Sequence, residues 1–281
     1  MDNLNLQQNI DISNLSFKTK AFSKYYFELN DQKDILKLKE ILNFAKQNNL
    51  QTLFVDTNLL FAFEEFKGII IKNNLKFFYD EKSKILEVYS AEKTWKIAER
   101  LENDFKQNIW HRFILPGSIG AVFNACFLEA ESNFLKAEVY NLETEIEILD
   151  KNSSNFSYRN SIFKQTQKYF IIKIKFDLSK VIEKYPNDID NIKFREEVQP
   201  KNSCGSFFKN YSKELSAGYM LQQVLKFCYK NAYFSDKHAN FLMTKLDNDY
   251  KDLLYLVDLA KQKVKNKFIE LHEEVRIIKN K

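Results

Sequence analysis

Five glycines in 281 residues, Gly68, Gly117, Gly120, Gly205 and Gly218, constrain this chain more than any other feature. A chain of this length ordinarily carries about 20. Glycine is the residue that adopts left-handed backbone freely and lets another backbone approach closely, so a chain this poor in it must build turns from Asn, Asp and Ser wherever a side chain is tolerated. Lys, Asn, Ile, Phe and Tyr are abundant, as expected of a drift towards AT-rich codons that removes every dispensable glycine. The survivors then mark positions where the backbone admits nothing else.

The length suffices for two domains, or one domain with subdomains, each with a sizeable core. Hydrophobic residues at 44% and aromatics at 15% describe a folded globular chain. Lys+Arg 43 against Asp+Glu 38 leaves +5 with no basic run, which argues against nucleic acid and fits an anionic small-molecule substrate. Asp56, Asn58, Glu64 and Glu65 interrupt the longer apolar stretches, so no membrane span is expected. The start, Met1-Asp2-Asn3, lacks the basic and apolar regions of a signal peptide, and the expected location is cytoplasmic. Cys126, Cys204 and Cys228 have no metal-ligand spacing and read as free thiols, and His111, His238 and His272 are too scattered to suggest a metal site.

Periodicity gives an alternating α+β chain. Residues 16–29 read as a strand. Asp31 caps a helix with Ile35, Leu38, Leu42 and Ala45 on its apolar face, and Thr52 to Val55 form a buried strand. Strands follow at 69–71, 84–89, on both sides of Asn141 within 136–149, and at 168–177. A helix over 92–105 places Trp95, Ala98, Leu101 and Phe105 on one face. A polar passage with Pro186 and Pro200 leads to a last domain, whose long helix buries Tyr250, Leu253, Leu254, Val257, Val264 and Phe268.

Five stretches carry chemistry. Ser203-Cys204-Gly205-Ser206-Phe207-Phe208-Lys209-Asn210 puts a hydroxyl, an ammonium and an amide round a backbone that a ligand can approach, although an ordinary turn capped by Ser206 accounts for the octamer alone. Asp56-Thr57-Asn58-Leu59-Leu60 is a loop between two strands, equally well read as a turn capped by Asp56. Leu115-Pro116-Gly117-Ser118-Ile119-Gly120-Ala121, running on to Asn124, opens a helix whose first N–H groups are expected to be unpaired and able to face an anion such as phosphate, although a plain helix start uses the same residues. Tyr158-Arg159-Asn160-Ser161-Ile162-Phe163-Lys164 presents a guanidinium, and Glu273-Glu274-Val275-Arg276 a carboxylate before the end of the chain.

Taken in chain order, together with Ser216-Ala217-Gly218-Tyr219-Met220-Leu221 and Phe234-Ser235-Asp236-Lys237-His238-Ala239-Asn240-Phe241-Leu242, these stretches resemble the UDP-N-acetylenolpyruvoylglucosamine reductases, flavoenzymes of peptidoglycan synthesis. The likeness is fullest after Tyr158. It departs at the family's L-G-G-G-S-N-L-L loop, where Phe54, Val55 and Asp56 stand for the three glycines and Thr57 for the serine. It departs again at Lys20-Ala21-Phe22-Ser23, where the family has a glycine pair, and at Cys126 to Glu129.

The resemblance implies an α+β protein with a two-lobed FAD-binding domain of the vanillyl-alcohol oxidase type over 1–185, its lobes about 1–72 and 73–185, and a smaller C-terminal α/β substrate domain over 186–281. It implies a monomer that reduces UDP-N-acetylglucosamine enolpyruvate with NADPH through non-covalently bound FAD. Thr57, Asn58, Leu59, Gly117, Ser118, Gly120 and Asn124 fall on its cofactor positions, and Lys209 and Asn210 on positions that hold the UDP-sugar. Ser206 is the implied proton donor, with Arg159 and Glu274 stabilising charge on the enolate, and Glu274 placed in the final strand. The missing loop glycines keep open a degenerate relative that binds a UDP-sugar without flavin. A different flavin oxidoreductase of the same superfamily is the remaining reading.

Overall fold

A computed structural model describes residues 4–17, 19–55, 58–76, 78–80, 85–105, 118–124, 132–166, 168–177, 197–200, 203, 205–212, 214–224, 228–245 and 249–280. Strands and helices are mixed along the described residues, so the α+β class holds. The chain divides into two compact units, each discontinuous in sequence. Unit 1 is Met1–Asn5, Phe27–Asp56 and Ile71–Lys193, and unit 2 is Leu6–Tyr26, Thr57–Ile70 and Phe194–Lys281. Strands β2 (Phe22–Leu29) and β5 (Glu65–Asn73) each have residues in both.

Unit 1 contains helix α1 (Gln32–Gln47), started by a capping box in which Asp31 accepts from the amides of Lys33 and Asp34 while Asp34 returns a bond to the amide of Asp31. Its buried row is Ile35, Leu38, Ile41 and Ala45, so Ile41 takes the place expected of Leu42. At 3.6 residues per turn Leu42 falls within the arc these four span, between Leu38 and Ile35, and it is half-buried there. Strand β3 (Gln51–Val55) follows.

The remainder of unit 1 is an antiparallel five-stranded sheet with helices on its apolar face. The order is β6 (Phe78–Asp80), β7 (Ile85–Tyr89), β10 (Tyr169–Asp177), β8 (Phe134–Asn141) and β9 (Glu145–Asp150). Leu86, Val88, Ala137, Val139, Ile174 and Phe176 pack with Ile97 and Ala98 of α2 (Thr94–Phe105) and with Ile119, Val122 and Phe123 of α3 (Ile119–Asn124). Trp95, expected inside, is 44% exposed. Thr94, Ile97 and Ala98 form the buried i, i+3, i+4 row instead, and Trp95 sits about 100° round from Thr94. The side chains of Leu101 and Phe105 lie outside the described residues.

Unit 2 joins the ends of the chain. Strand β1 (Gln7–Asp11) runs antiparallel to the start of β2, from Gln7 opposite Tyr26 to Asp11 opposite Phe22. Strand β4 (Leu59–Phe61) pairs in parallel with the last strand, β14 (Arg276–Ile278), with Leu59 opposite Arg276. Helix α5 (Ala217–Gln222) precedes a small antiparallel sheet, β11 (Cys228–Tyr229), β12 (Ala232–Phe234) and β13 (Leu242–Thr244). Helix α6 (Tyr250–Lys267) closes the core through Leu253, Leu256, Val257, Ala260 and Val264. Leu256 and Ala260 thus occupy the buried stripe, with Tyr250, Leu254 and Phe268 half-buried at its edges. Among the described residues, no helix is long and apolar enough to cross a membrane.

Candidate functional site

In unit 2 the segment from Gly205 to Asn210 is built into the core by its two phenylalanines. Gly205 has φ 83°, a left-handed conformation that explains the glycine. Phe207 and Phe208 are both fully buried, their ring centroids 5.0 Å apart, with Phe17 6.1 Å from Phe207 and Phe234 6.3 Å from Phe208. Burying two consecutive side chains buries the backbone between them, and its polar groups must be paired.

The pairing comes from two other stretches. The amide of Phe207 donates to the carbonyl of Asn240 at 2.7 Å, and the carbonyl of Phe207 accepts from the amide of Glu274 at 2.8 Å. The amide of Lys209 donates to the carbonyl of His272 at 2.8 Å. Phe208 is paired to a side chain: its amide donates to Asn240 Oδ1 at 2.9 Å and its carbonyl accepts from Asn240 Nδ2 at 2.8 Å. Ser206 and Lys209, both half-buried, therefore flank a two-residue anchor to which the backbone of Glu274 is bonded directly.

Asn58 joins the same group. Its φ is 65°, its carbonyl accepts from the amide of Arg276 at 3.0 Å, and its Nδ2 donates to the carbonyl of Glu274 at 3.4 Å. Asn58 Oδ1 is buried and receives no donor from the described residues. Leu59 is buried in β4, while Thr57, Asp56 and Cys204 lie outside the described residues. Two expectations change. Glu274 precedes the final strand rather than lying in it, because β14 begins at Arg276. Asn210 is exposed and its Oδ1 accepts from the amide of Ala217 at 3.0 Å, so part of its amide is spent at the start of α5.

In unit 1, Arg159 occupies the third position of a four-residue turn closed by reciprocal bonds between Ser157 and Asn160, each 3.0 Å. Its φ of 55° is uncommon for a side chain of this size, and such strain persists only where neighbours impose it. Ser161 supplies the restraint. Fully buried, it donates through Oγ to the carbonyl of Asn124 at 2.7 Å and accepts from the amide of Lys164 at 3.4 Å, at the start of α4 (Ile162–Thr166). Two motifs separated in sequence, the end of α3 and the Arg159 turn, are fastened together by one hydroxyl.

The start of α3 does not offer the free donors expected of it. The amide of Ile119 donates to the carbonyl of Glu92 at 2.9 Å, that of Gly120 to the carbonyl of Ser90 at 2.8 Å, and that of Ala121 to Ser118 Oγ at 3.3 Å. Gly120 is required by this approach, since a Cβ there would stand 2.7 Å from Ser90 Cβ and 2.9 Å from its carbonyl oxygen. Gly117 lies outside the described residues, and Ser118 is buried. Phe54 and Val55, at two positions of the expected glycine loop, belong to β3. Phe54 stacks on Phe170 with centroids 4.4 Å apart and planes at 19°, and Val55 is 4% exposed.

Sequence reasoning gave no role to Asn240. The signal was present in His238-Ala239-Asn240-Phe241-Leu242: a polar residue held at 1% exposure before an apolar run must have fixed partners.

Residues 198–278 match the family model described as the C-terminal domain of UDP-N-acetylenolpyruvoylglucosamine reductase. The chain is 29% identical over 289 aligned positions to the UDP-N-acetylenolpyruvoylglucosamine reductase of Aquifex aeolicus, covering 97% of this chain and 95% of that one. It is 35% identical over 190 positions to the reductase of the same name from Fervidobacterium nodosum, covering 64% and 61%. The solved UDP-N-acetylenolpyruvylglucosamine reductase of Thermus caldophilus superposes with a TM-score of 0.73 at 16% identity, covering 98% of this chain and 100% of that chain, which shows a common fold.

Proposed function

This chain belongs to the UDP-N-acetylenolpyruvoylglucosamine reductase family, and we propose that it reduces UDP-N-acetylglucosamine enolpyruvate to UDP-N-acetylmuramate with NADPH and bound FAD, for peptidoglycan synthesis. The observation that carries the reading is the bonding of unit 2, in which the backbone of Glu274 is fixed to Phe207, between Ser206 and Lys209. A fixed backbone limits where the three side chains can point, as catalysis by positioning requires.

FAD is supported by Asn58, whose buried Oδ1 awaits a donor of the kind a flavin nucleotide carries in its hydroxyls and imide N–H. Leu59 follows it in β4, and Thr57, Ser118, Gly117, Gly120 and Asn124 complete the proposed cofactor residues. With the first amides of α3 already bonded, Ser118, Gly120 and Asn124 serve by shaping the wall rather than by offering helix-end donors. FAD, when bound, supplies the hydride taken from NADPH and given to the enolpyruvyl β-carbon.

The chain's own residues deal with the charge this leaves at the α-carbon and carboxylate. Arg159, its guanidinium presented from a strained turn, stabilises the carboxylate end of the enolate in both resonance forms. Ser206 Oγ gives its proton to the α-carbon. A serine hydroxyl is a weak acid, so its alkoxide needs support from the Lys209 ammonium, and Glu274 orders the charges round it. Lys209 and the remaining amide of Asn210 hold the UDP-sugar. We assign residues 1–185 to cofactor binding, in lobes of about 1–72 and 73–185, and 186–281 to substrate, in a cytoplasmic monomer.

Protein incubated with FAD and desalted is expected to keep a flavin absorbance that denaturation releases, to be reduced by one equivalent of NADPH, and to turn over further NADPH when the enolpyruvyl sugar is present. The second reading, a UDP-sugar binder without flavin, is favoured by the bonded amides of α3 and by Phe54 and Val55 in β3. Binding of UDP-N-acetylglucosamine enolpyruvate by protein that never takes up flavin would establish it.

A further inference from the structure

We infer that Asn240 is the positioning residue of this site, its carboxamide standing in for a missing strand neighbour of Phe208 and thereby holding Ser206 and Lys209 in register with Glu274. The inference rests on the proposed reaction and adds to it a residue that need not touch substrate or cofactor.

On one side of the segment 206–209 the chain 272–275 provides ordinary backbone pairing, through the bonds of Phe207 to Glu274 and of Lys209 to His272 and through the bridge between Phe208 and Glu273. On the other side, among the described residues, only the carbonyl of Asn240 pairs by backbone, to the amide of Phe207. The donor and acceptor of Phe208 on that side would be buried without partners. A carboxamide offers the same donor and acceptor pair as a peptide group, and Asn240 directs both at Phe208, at 2.8 and 2.9 Å. With its own carbonyl on Phe207, one residue makes three bonds to two consecutive residues. It is 1% exposed, so water cannot replace any of them.

Asn240 is itself held. Its amide donates to His238 Nδ1 at 3.2 Å, the His238 ring lies 4.7 Å from that of Phe241, and a Cβ on Gly218 would come within 3.1 Å of His238 Cε1. Burial pushes the His238 imidazole below its ordinary pKa, which keeps Nδ1 an acceptor at neutral pH. The scarcity of glycine sharpens this: Gly218 stands where a Cβ would crowd the His238 ring behind Asn240.

The test follows flavin reduction by NADPH and reoxidation by the enolpyruvyl sugar separately, with amide hydrogen exchange of 207–209, in the full chain loaded with FAD. Asn240→Ala is expected to slow reoxidation about 100-fold, as a small misplacement of a reacting group does, and to leave flavin reduction within about threefold. Amides 207–209 should exchange at least about tenfold faster while α6 keeps its protection. Asp252→Asn, which neutralises a buried carboxylate paired with the exposed Lys230 elsewhere in unit 2, controls for lost stability and should leave the ratio of the two rates unchanged.

If Asn240→Ala does not fold, Asn240→Asp carries the test. Its protonated carboxyl donates and accepts as the carboxamide does, whereas the ionised form repels the Phe208 carbonyl, so reoxidation relative to wild type should rise as pH falls. His238, Lys209, His272, Glu273 and Glu274, on the segments packed round residue 240, are common to both proteins and cancel in that ratio. Equal slowing of both half-reactions, unchanged exchange at 207–209, or a flat variant-to-wild-type ratio would each overturn the assignment. Wild-type protein that fails to react with the sugar refutes the proposed reaction instead, and exchange at 207–209 still decides whether Asn240 holds the segment.

Discussion

The two units treat the same problem, how to present a backbone to a ligand, in opposite ways. In unit 2 the segment after Gly205 is anchored by two buried rings, and three hydrogen bonds from Asn240 leave the flanking side chains of Ser206 and Lys209 at the surface of a rigid core. In unit 1 the backbone expected to face a ligand is spent internally. The first amides of α3 bond to Glu92, Ser90 and Ser118, and Phe54 and Val55 fill β3. Where recognition depends on side chains, a chain losing glycines keeps its pattern, because side chains are what such a drift leaves alone. Where recognition depends on bare backbone, each lost glycine puts a Cβ in the way.

The sharpest break between the units is expected at Ser206. Ser206→Ala should leave reduction of the flavin by NADPH nearly intact, since no substrate proton moves in that half-reaction, and slow reoxidation by the enolpyruvyl sugar by about 10³-fold or more. Stopped-flow absorbance separates the two. Equal slowing of both would reduce Ser206 to a shaping role, and unchanged reoxidation would remove it from the mechanism.

Arg159 in unit 1 and Glu274 in unit 2 test whether the units share one reaction. Each change to Ala should lower turnover by about 10²-fold to 10³-fold, the range for removing one preorganised electrostatic group, while UDP-sugar affinity changes by less than about tenfold. Titration calorimetry with the sugar, beside steady-state rates, makes the distinction. An Arg159→Ala protein that binds poorly yet turns over normally at saturation would place the guanidinium in binding alone.

The sequence was most readable where a single side chain carries the information. The capping box at Asp31, the antiparallel pair on either side of Asn141 and the strand over 168–177 all follow from local pattern. In the octamer the need for Gly205 was readable, and its φ of 83° accounts for the glycine. Helix faces were less readable at their margins: Trp95 is apolar yet lies at the edge of the buried row, a distinction of tens of degrees that composition does not encode. The discontinuous units were not readable at all, since β4 pairs with β14 across more than 200 residues of chain and no local signal marks such a partner. Nor was the fate of the α3 amides, which turns on Ser90 and Glu92, residues of another loop.

Two glycines sharpen the contrast on the scale of stability. Gly120→Ala drives a Cβ to 2.7 Å from Ser90 Cβ and 2.9 Å from a backbone oxygen, and overpacking of this kind costs about 1–3 kcal/mol. Gly205→Ala meets nothing within 4 Å, and its cost, about 1–2 kcal/mol, comes from φ 83° alone. Thermal melts should show comparable losses, but only Gly205→Ala should also slow reoxidation, because relaxing that φ turns the peptide leading into Ser206. If Gly120→Ala slowed reoxidation as much, the wall beside α3 would matter to the chemistry as well as to packing.

The smallest effect belongs to Lys261, on α6, whose Nζ lies 2.9 Å from Glu273 Oε1 with both side chains about 30% exposed. Glu273 bridges to Phe208 and precedes Glu274, so the pair steadies the stretch that carries the proposed catalytic carboxylate. A pair this open to solvent contributes about 0.2–1 kcal/mol, which sets the expected loss of turnover in Lys261→Met at no more than about fivefold. The loss should shrink in 0.5 M salt, where the wild-type pair is screened too, and the two proteins should then converge. A loss as large as that of Glu274→Ala, and insensitive to salt, would mean that the ammonium acts on the substrate directly. The rigid side of the site would then extend from the 206–209 segment to the face of α6.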